Sequence, residues 1–597
     1  MSYVDGLFDK EHDLIKIVER NNKGERVYKE HPVRYTFYIP DTKGKYTGIY
    51  GDPLSKITCR STKDFRKELA FAANKQIYEG DINPVVAHLS ENYLNAEAPK
   101  LNICFFDIET DMQPFAYVSG HKVKVRPGDK EITVFELSQL PNKDKHEVFD
   151  DITNRWEPVL GCKYLEGGPG YSSTEDAFMP ITAITVYLKW LGKLVTLAMP
   201  PKSLTLEQAQ DLVKDIPDTY LFEDESVMLD TFLDLIEDAD IISGWNSEGY
   251  DIPYTVNRVT RVLSKEDTKR FCLWGKLPKR REYEKYGKSA VTYDFHGRVH
   301  LDSLELYRKY TYEERHTYRL DAIGEMEIGE NKTVYEGTLD QLYNNDFNKF
   351  IVYNRQDTLL LNKLDDKLKF IDLANKIAHE NTVLLQTTMG AVAVTEQAII
   401  NEAHRRGFQV PNRVKRDELA DNTAAGAYVA YPKEGLQDWV GSLDINSLYP
   451  SAIRALNMGN ETIVGQLRQT ETDAFIQTQM ALKKKSFAAS WEGMFGSIEY
   501  THVMDKRIDK ELTIDWTGGE STTHSGAEVY RMLFDSNQPW MLSANGTIFT
   551  YEKEGVIPGL LKRWYAERKV LQAELKACLN LSTGVSIDPE LAKQLQL

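Results

Sequence analysis

At 597 residues the chain is too long for one hydrophobic core, and roughly three to five domains are expected. A composition of 42% hydrophobic and 27% charged residues, with 32 tyrosines, excludes an extensively disordered chain. The net charge of −17 excludes a uniformly basic nucleic-acid coat. It still permits a basic groove, whose hold on phosphate would weaken steeply with salt.

Five scattered cysteines (Cys59, Cys104, Cys162, Cys272, Cys578) form no C-x-x-C pair, which points to reduced thiols and no structural zinc. The N-terminus MSYVDGLFDKEHD has no basic region followed by an apolar core, and no apolar run approaches a membrane span. A cytoplasmic protein without a membrane partner is expected.

In chain order, residues 1–100 mix short strands, such as Val33 to Ile39, with a polar helix predicted near Asp64 to Glu79. They are read as an N-terminal α+β domain. From Leu101 the pattern changes. NICFFDI is a continuous apolar strand suited to the middle of a sheet covered on both faces. Strands at Ile181 to Tyr187 and Leu194 to Met199, a helix at Ser226 to Ala239 and a strand at Ile241 to Gly244 follow, implying a mixed sheet flanked by helices. A loop-rich insertion at about 111–180, containing GGPG, separates the first two strands.

Within this domain, read as 101–370, acidic residues recur with a spacing that carries chemistry. Asp107 and Glu109 in FDIET are two apart on a strand, so both carboxylates project to one face. GWNSEGYD places Asp251 after a strand and a turn, with Asn246 upstream. YNRQD sets Tyr353 and Asp357 at i and i+4 on a helix, where their side chains meet. Taken singly, each is ordinarily a solvated strand-end or helix carboxylate; their order and distances together point to a shared metal site. Between them KLPKRREYEKYGK, Lys276 to Lys288, interleaves tyrosines with cations, a pattern suited either to a bare surface loop or to unpaired bases and their phosphates.

Helices follow near 358–383 and from Glu396 to Arg406, ended by Gly407. The apolar run Trp439 to Leu443 is predicted as a strand with Asp444 at its end, followed by the turn NSLYPS carrying Leu448 and Tyr449. The polar stretch 466–550 is expected to be an irregular surface insertion. A final helix, starting near Pro558 and running to Leu579, is expected to pack one face (Leu560, Trp564, Leu571, Leu575, Cys578) and to offer lysines to solvent.

SLDINSLYPS, with the acidic groups before it, resembles the family B DNA polymerases, and is closest in wording to the replicative enzymes of T-even-like bacteriophages. The resemblance covers about 100–470 and 550–580. It implies an α/β multidomain chain: an N-terminal domain (1–100), an RNase H-like 3′–5′ exonuclease domain (101–370), a partial palm (371–550) and the first half of the fingers (551–597). It further implies a two-metal proofreading site of the tyrosine-bearing DEDD type. In that site Asp107, Glu109 and Asp357 hold Mg²⁺ or Mn²⁺, Asp251 completes the acidic ring, Tyr353 orients the attacking water and Asn246 positions DNA.

By the same resemblance Asp444 binds the polymerase metals, the backbone at Leu448 cradles the dNTP, and Tyr449 lies beneath its sugar and excludes a 2′-hydroxyl. Gly426 and Ala427 meet the template strand, and Arg568 and Lys569 grip the triphosphate. Gln572 stands where the phage enzymes tend to carry a lysine.

A second catalytic aspartate in a D-T-D motif and a K-x-x-x-N-S-x-Y-G helix are both absent from this sequence. Asp444 alone cannot hold two metals; a split polymerase, a truncated one and a degraded gene would each read this way, and of these a polymerase completed by a separate C-terminal chain is expected, acting on primer-template DNA and single-stranded 3′ ends, with a sliding clamp as an accessory. The rival readings are a freestanding 3′–5′ exonuclease with a DNA-binding C-terminal arm and a non-enzymatic DNA-binding module.

Overall fold

The computed structural model describes residues 2–111, 122–150, 155–160, 173–285 except 176, 287–414, 431–469 except 432 and 446, and 511–578 except 544. The chain divides into two compact units that are discontinuous in sequence: residues 1–33 with 83–394, and residues 34–82 with 395–597. The first hundred residues are thus shared between the units.

The first unit opens with an antiparallel sheet of β1 (Ser2–Asp9), β2 (Leu14–Arg20) and β3 (Arg26–Pro32). A second sheet contains β4 (Ile103–Thr110), β5 (Ile181–Leu188), β6 (Lys193–Ala198), β7 (Thr219–Leu221), β8 (Ile241–Ser243) and β9 (Val299–His300), in the order β7-β6-β5-β4-β8-β9. β5 runs antiparallel to both β4 and β6, whereas β8 runs parallel to β4 and β9. The continuous apolar pattern of β4 has the predicted consequence: Phe105 and Phe106 project to opposite faces and both are buried, in separate core clusters.

Helix α1 (Glu225–Leu235) starts at Asp224, whose carboxylate accepts from the Ser226 N–H. Helix α2 (Asp251–Val262) is tied to α1 and β5 through one buried ion pair. Arg258 donates to Glu225 at 2.5 Å, and the Glu225 Oε1 also accepts from the Ile181 N–H at 2.8 Å. Helix α3 (Phe347–Leu368) lies across the sheet and ends at Lys369, which takes a left-handed φ of 55°. Arg20 fastens β2 beneath β8: its guanidinium forks onto the fully buried Asp240 at 2.8 and 2.9 Å. The basic segment at 276–288 is part of an antiparallel hairpin, Lys279–Lys285 with Lys288–Asp294, and not a loop. The alternating cations and tyrosines give it strand periodicity.

In the second unit the helix predicted near Asp64 to Glu79 runs from Thr62 to Phe71, capped by Ser61. The expected irregular insertion at 466–550 is corrected for its described part. Strands Ile463–Gln469, Glu511–Trp516, Ser521–Ser525, Trp540–Leu542 and Thr547–Thr550 form an antiparallel sheet over a core that includes Leu467, Ile514, Val529 and Ile548. Its polar text misled because one face of such a sheet is solvated. Residues 470–510 lie outside the described residues.

The predicted strand Trp439 to Leu443 is also corrected. Residues 433–445 form no strand among the described residues, and Trp439 and Leu443 are fully exposed. An apolar run becomes a strand only where a neighbour supplies ladder hydrogen bonds, and no described segment does so. Helix α4 (Leu448–Ala455) follows, and helix α5 (Val556–Cys578) closes the described chain. The apolar face expected along α5 packs only at its start: Val556 and Leu560 are buried, whereas Trp564, Val570 and Leu571 are exposed.

Candidate functional site

β4 and α3 build an acidic site in the first unit. Alternation along β4 puts Asp107 and Glu109 on one face, and the helical turn of α3 brings Asp357 to them. Oxygens of these three carboxylates all lie within 4.8 Å of one another. Asp251, at the first turn of α2, stands beside them and is anchored to the strand between the pair, accepting from the Ile108 N–H at 3.3 Å. Four carboxylates from three sequence-distant elements therefore converge.

Crowding of like charges has an electrostatic consequence. Burial, followed by repulsion from Asp357, pushes Glu109 up to about 8. Burial raises Asp251 to about 7 and, together with Glu109 and Asp357, lifts Asp107 well above the usual carboxylate range. Asp357 is raised by burial, against the pull of Lys332. The Tyr353 hydroxyl is driven up by burial and then by Asp357 and Glu109, so it stays protonated and can donate.

Two residues outside the predicted set complete the arrangement. Lys332 Nζ donates to Asp357 Oδ2 at 2.5 Å and to the Tyr353 hydroxyl at 3.4 Å. Burial opposes its charge, yet Asp357 and Asp107 hold it cationic, at about 12. Asn354 donates to Asp107 Oδ2 at 2.7 Å and pairs through Oδ1 with the Thr185 hydroxyl of β5 at 2.5 Å, which fixes the rotamer of Asp107. Lys332 sits in an irregular segment with no sequence signal. Asn354 was legible in principle, since it follows Tyr353 on the same helix.

The donor set suits a hard divalent cation. It consists of oxygens alone, and Asp357 Oδ1 is buried without a hydrogen-bond partner among the described residues. Lys332 supplies one positive charge against four carboxylates, leaving a deficit that cations would meet.

The second unit presents a different picture. Asp444 is exposed on the non-strand segment, and Leu448 and Tyr449, at the start of α4, are 48% and 65% exposed. α4 meets α5 where the Arg454 guanidinium lies over the Tyr565 ring at 4.6 Å, and Lys569 covers the same ring at 5.4 Å. The structure thus brings the SLYPS helix to the helix bearing Arg568 and Lys569, both of which are exposed. It does not gather acidic partners around Asp444 among the described residues. Asn246, at the turn before α2, has a left-handed φ of 60°. Gly426 and Ala427 lie outside the described residues.

Among the described residues no helix is long and apolar enough to cross a membrane, and Cys59, Cys104 and Cys272 are free and buried.

Comparison with known proteins agrees with this division. The model of the DNA polymerase family B exonuclease domain matches residues 162–323, and that of DNA polymerase family B matches 382–590. The exonuclease match includes Asn246 and Asp251, whereas Asp107, Glu109, Tyr353 and Asp357 flank it; the polymerase match includes Asp444, Tyr449 and Arg568.

Among curated relatives, the DNA-directed DNA polymerase of Enterobacteria phage T4 is 26% identical over 388 residues, covering 63% of this chain and 42% of the relative. That of Escherichia phage RB69 is 24% identical over 486 residues, covering 80% and 48%. The DNA polymerase delta catalytic subunit of Drosophila melanogaster is 28% identical over 271 residues, covering 41% and 24%. The chain therefore spans less than half the length of the phage relatives it matches. With an exonuclease-domain match followed by a polymerase match, the chain belongs to DNA polymerase family B.

Proposed function

We propose that this chain is the exonuclease and partial polymerase portion of a replicative DNA-directed DNA polymerase, with Asp107, Glu109, Asp251, Tyr353 and Asp357 removing mispaired nucleotides from a DNA 3′ end. The convergence of the four carboxylates beneath Lys332 carries this reading. The sheet order, with its first strand flanked on one side by an antiparallel strand and on the other by a parallel one, supports an RNase H-like exonuclease domain.

Asp107, Glu109 and Asp357 present the metal-facing oxygens, and Asn354 holds Asp107 in place. The Tyr353 hydroxyl orients the water, and Lys332 offers a cation beside Asp357 for the phosphate oxygens. Bound Mg²⁺ or Mn²⁺ would activate the attacking water and neutralise charge developing on the scissile phosphate. Asn246 faces the DNA strand, and the hairpin of cations and tyrosines offers stacking and phosphate contacts to unpaired nucleotides.

For nucleotidyl transfer, Asp444, Leu448, Tyr449, Arg568 and Lys569 form one side of a dNTP site, with Gly426 and Ala427 on the DNA path. We propose that a separate C-terminal chain supplies the remaining carboxylate and pairs with the apolar segment 439–445. The exposure of Trp439, Leu443 and Ile445 supports a strand that acquires its neighbour from elsewhere. The domain limits read from sequence, a cytoplasmic setting and a sliding clamp belong to the same proposal.

The test is twofold. Purified chain with Mg²⁺ should shorten single-stranded DNA from its 3′ end, and primer extension should appear only when a second polypeptide bearing the D-T-D motif is added. Extension by the chain alone would defeat the completion proposal, and absence of metal-dependent digestion would defeat the nuclease assignment.

A further inference from the structure

One buried carboxylate of the first unit is unused by this chemistry. Asp302 follows β9 and is 4% exposed; burial raises its carboxyl to about 7, and the neighbouring acids Glu305 and Glu248 raise it rather than stabilise its charge. Its charge is met by backbone N–H groups. Oδ1 accepts from Asn246 at 3.0 Å and from Leu304 at 2.9 Å, and Oδ2 accepts from Glu248 at 3.0 Å. The Leu304 bond caps the helix Ser303–Tyr310. The other two reach across 50-odd residues of chain to the turn Gly244–Tyr250, which has no regular structure of its own and leads directly into Asp251 of the acidic site.

That turn needs an external template. Asn246 takes a left-handed backbone, which costs a non-glycine residue roughly 1 kcal/mol or more. Further bonds grip the turn: Trp245 Nε1 donates to the Tyr318 carbonyl at 2.9 Å, His300 Nε2 pairs with the Ser247 hydroxyl at 2.8 Å, Arg281 donates to Glu248 at 2.5 Å, the Thr110 and Tyr250 hydroxyls pair at 3.1 Å, and the Ser303 N–H donates to the Gly244 carbonyl at 3.0 Å. Asp302 alone among these holds the turn by its backbone at two points, Asn246 and Glu248. The next helix, α2, begins at Asp251, whose carboxylate binds the Ile108 N–H between Asp107 and Glu109.

We infer that Asp302 is a positioning residue for the exonuclease site: by fixing the Asn246–Glu248 backbone it sets the place of Asp251 against Asp107 and Glu109, and hence the site's affinity for divalent cations. The inference rests on the exonuclease reading above. Outer carboxylates that orient a metal site typically account for about 10- to 100-fold in metal affinity. Because His300 and Arg281 retain the turn, loss of Asp302 loosens it without releasing it.

The experiment measures Mn²⁺ binding to the full chain by calorimetry, alongside nuclease rate and thermal unfolding. Asp302→Ser keeps an oxygen for the Leu304 cap but is too short to reach the turn amides. Asp302→Asn keeps the shape but presents N–H donors to an N–H. Both should unfold near the wild-type temperature, bind Mn²⁺ at least about tenfold more weakly, and recover nuclease rate when Mn²⁺ is raised. Wild-type Mn²⁺ affinity in a folded Asp302→Ser or Asp302→Asn chain would overturn the inference and leave Asp302 as a helix cap. If instead the wild-type chain binds no Mn²⁺, or binds it equally after Asp107→Ala, the exonuclease reading itself fails.

Discussion

The acidic cluster of the first unit and the Asp444 segment of the second carry comparably telling sequence motifs, yet they differ in every physical respect. The cluster is assembled inside a core, with each carboxylate held by a strand or helix that is buried for its own reasons. Asp444 lies on an exposed segment among apolar side chains that nothing described covers. A motif gives the residue types; a site exists where separate elements share one core that fixes their geometry. The predictions below break or sharpen that contrast.

The largest effect is expected for Asp107→Ala and Asp357→Ala, each lowering the rate of 3′-end digestion by about 10³-fold or more, measured as nucleotide release. Retention of rate within tenfold would remove these residues from the site. Next comes the strand that supports them. Phe105→Ala, at a fully buried position of β4, should destabilise the first unit by about 3–5 kcal/mol in denaturant melts. A smaller value would mean that the core collapses around the cavity.

Lys332→Ala should lower the unfolding free energy in EDTA, read from denaturant melts, by on the order of 1 kcal/mol, since the lysine is partly solvated. Mn²⁺ should restore most of it; identical melts would show that the lysine carries no charge compensation.

The fourth prediction concerns pH. Glu109 and Asp251 titrate in the folded chain at about 8 and about 7, above their unfolded values near 4. Between the two sets of values the folded state binds more protons, so stability falls as pH rises. The penalty is absent below about pH 4 and full above about pH 8. Metal-free chain should therefore lose stability from pH 6 to pH 8, and the increment gained from Mn²⁺ should grow over that interval, with protons released on binding. A flat Mn²⁺ increment across this range would argue that the carboxylates are already ionised.

The smallest effect belongs to the other region. Trp439→Ser should change the stability of the chain alone by no more than about 0.5 kcal/mol, since the indole is fully exposed. In the presence of the proposed second polypeptide it should weaken association; equal effects in both settings would mean that 439–445 pairs with nothing.

Much of the first unit was legible because its signals are local. FFDIET alternates as a strand, and Tyr353 and Asp357 share a helical face. Lys332 and the β2–β8 clamp through Arg20 and Asp240 were not, because they depend on which distant segments meet. Misreadings in the second unit have the same cause. Trp439 to Leu443 reads as a strand from side chains alone, but a strand is a pairing. The polar text of 511–550 hid a sheet whose apolar residues alternate with solvated ones.

By itself the sequence determined the chemistry on offer: a set of four spaced carboxylates in one stretch and the lone Asp444 in another, with no second aspartate motif beside it. The tertiary structure decided which of the two becomes a site. Carboxylates act together only within a few ångströms of one another, and that proximity is set by the packing of β4, α2 and α3 around a common core, which no local pattern encodes.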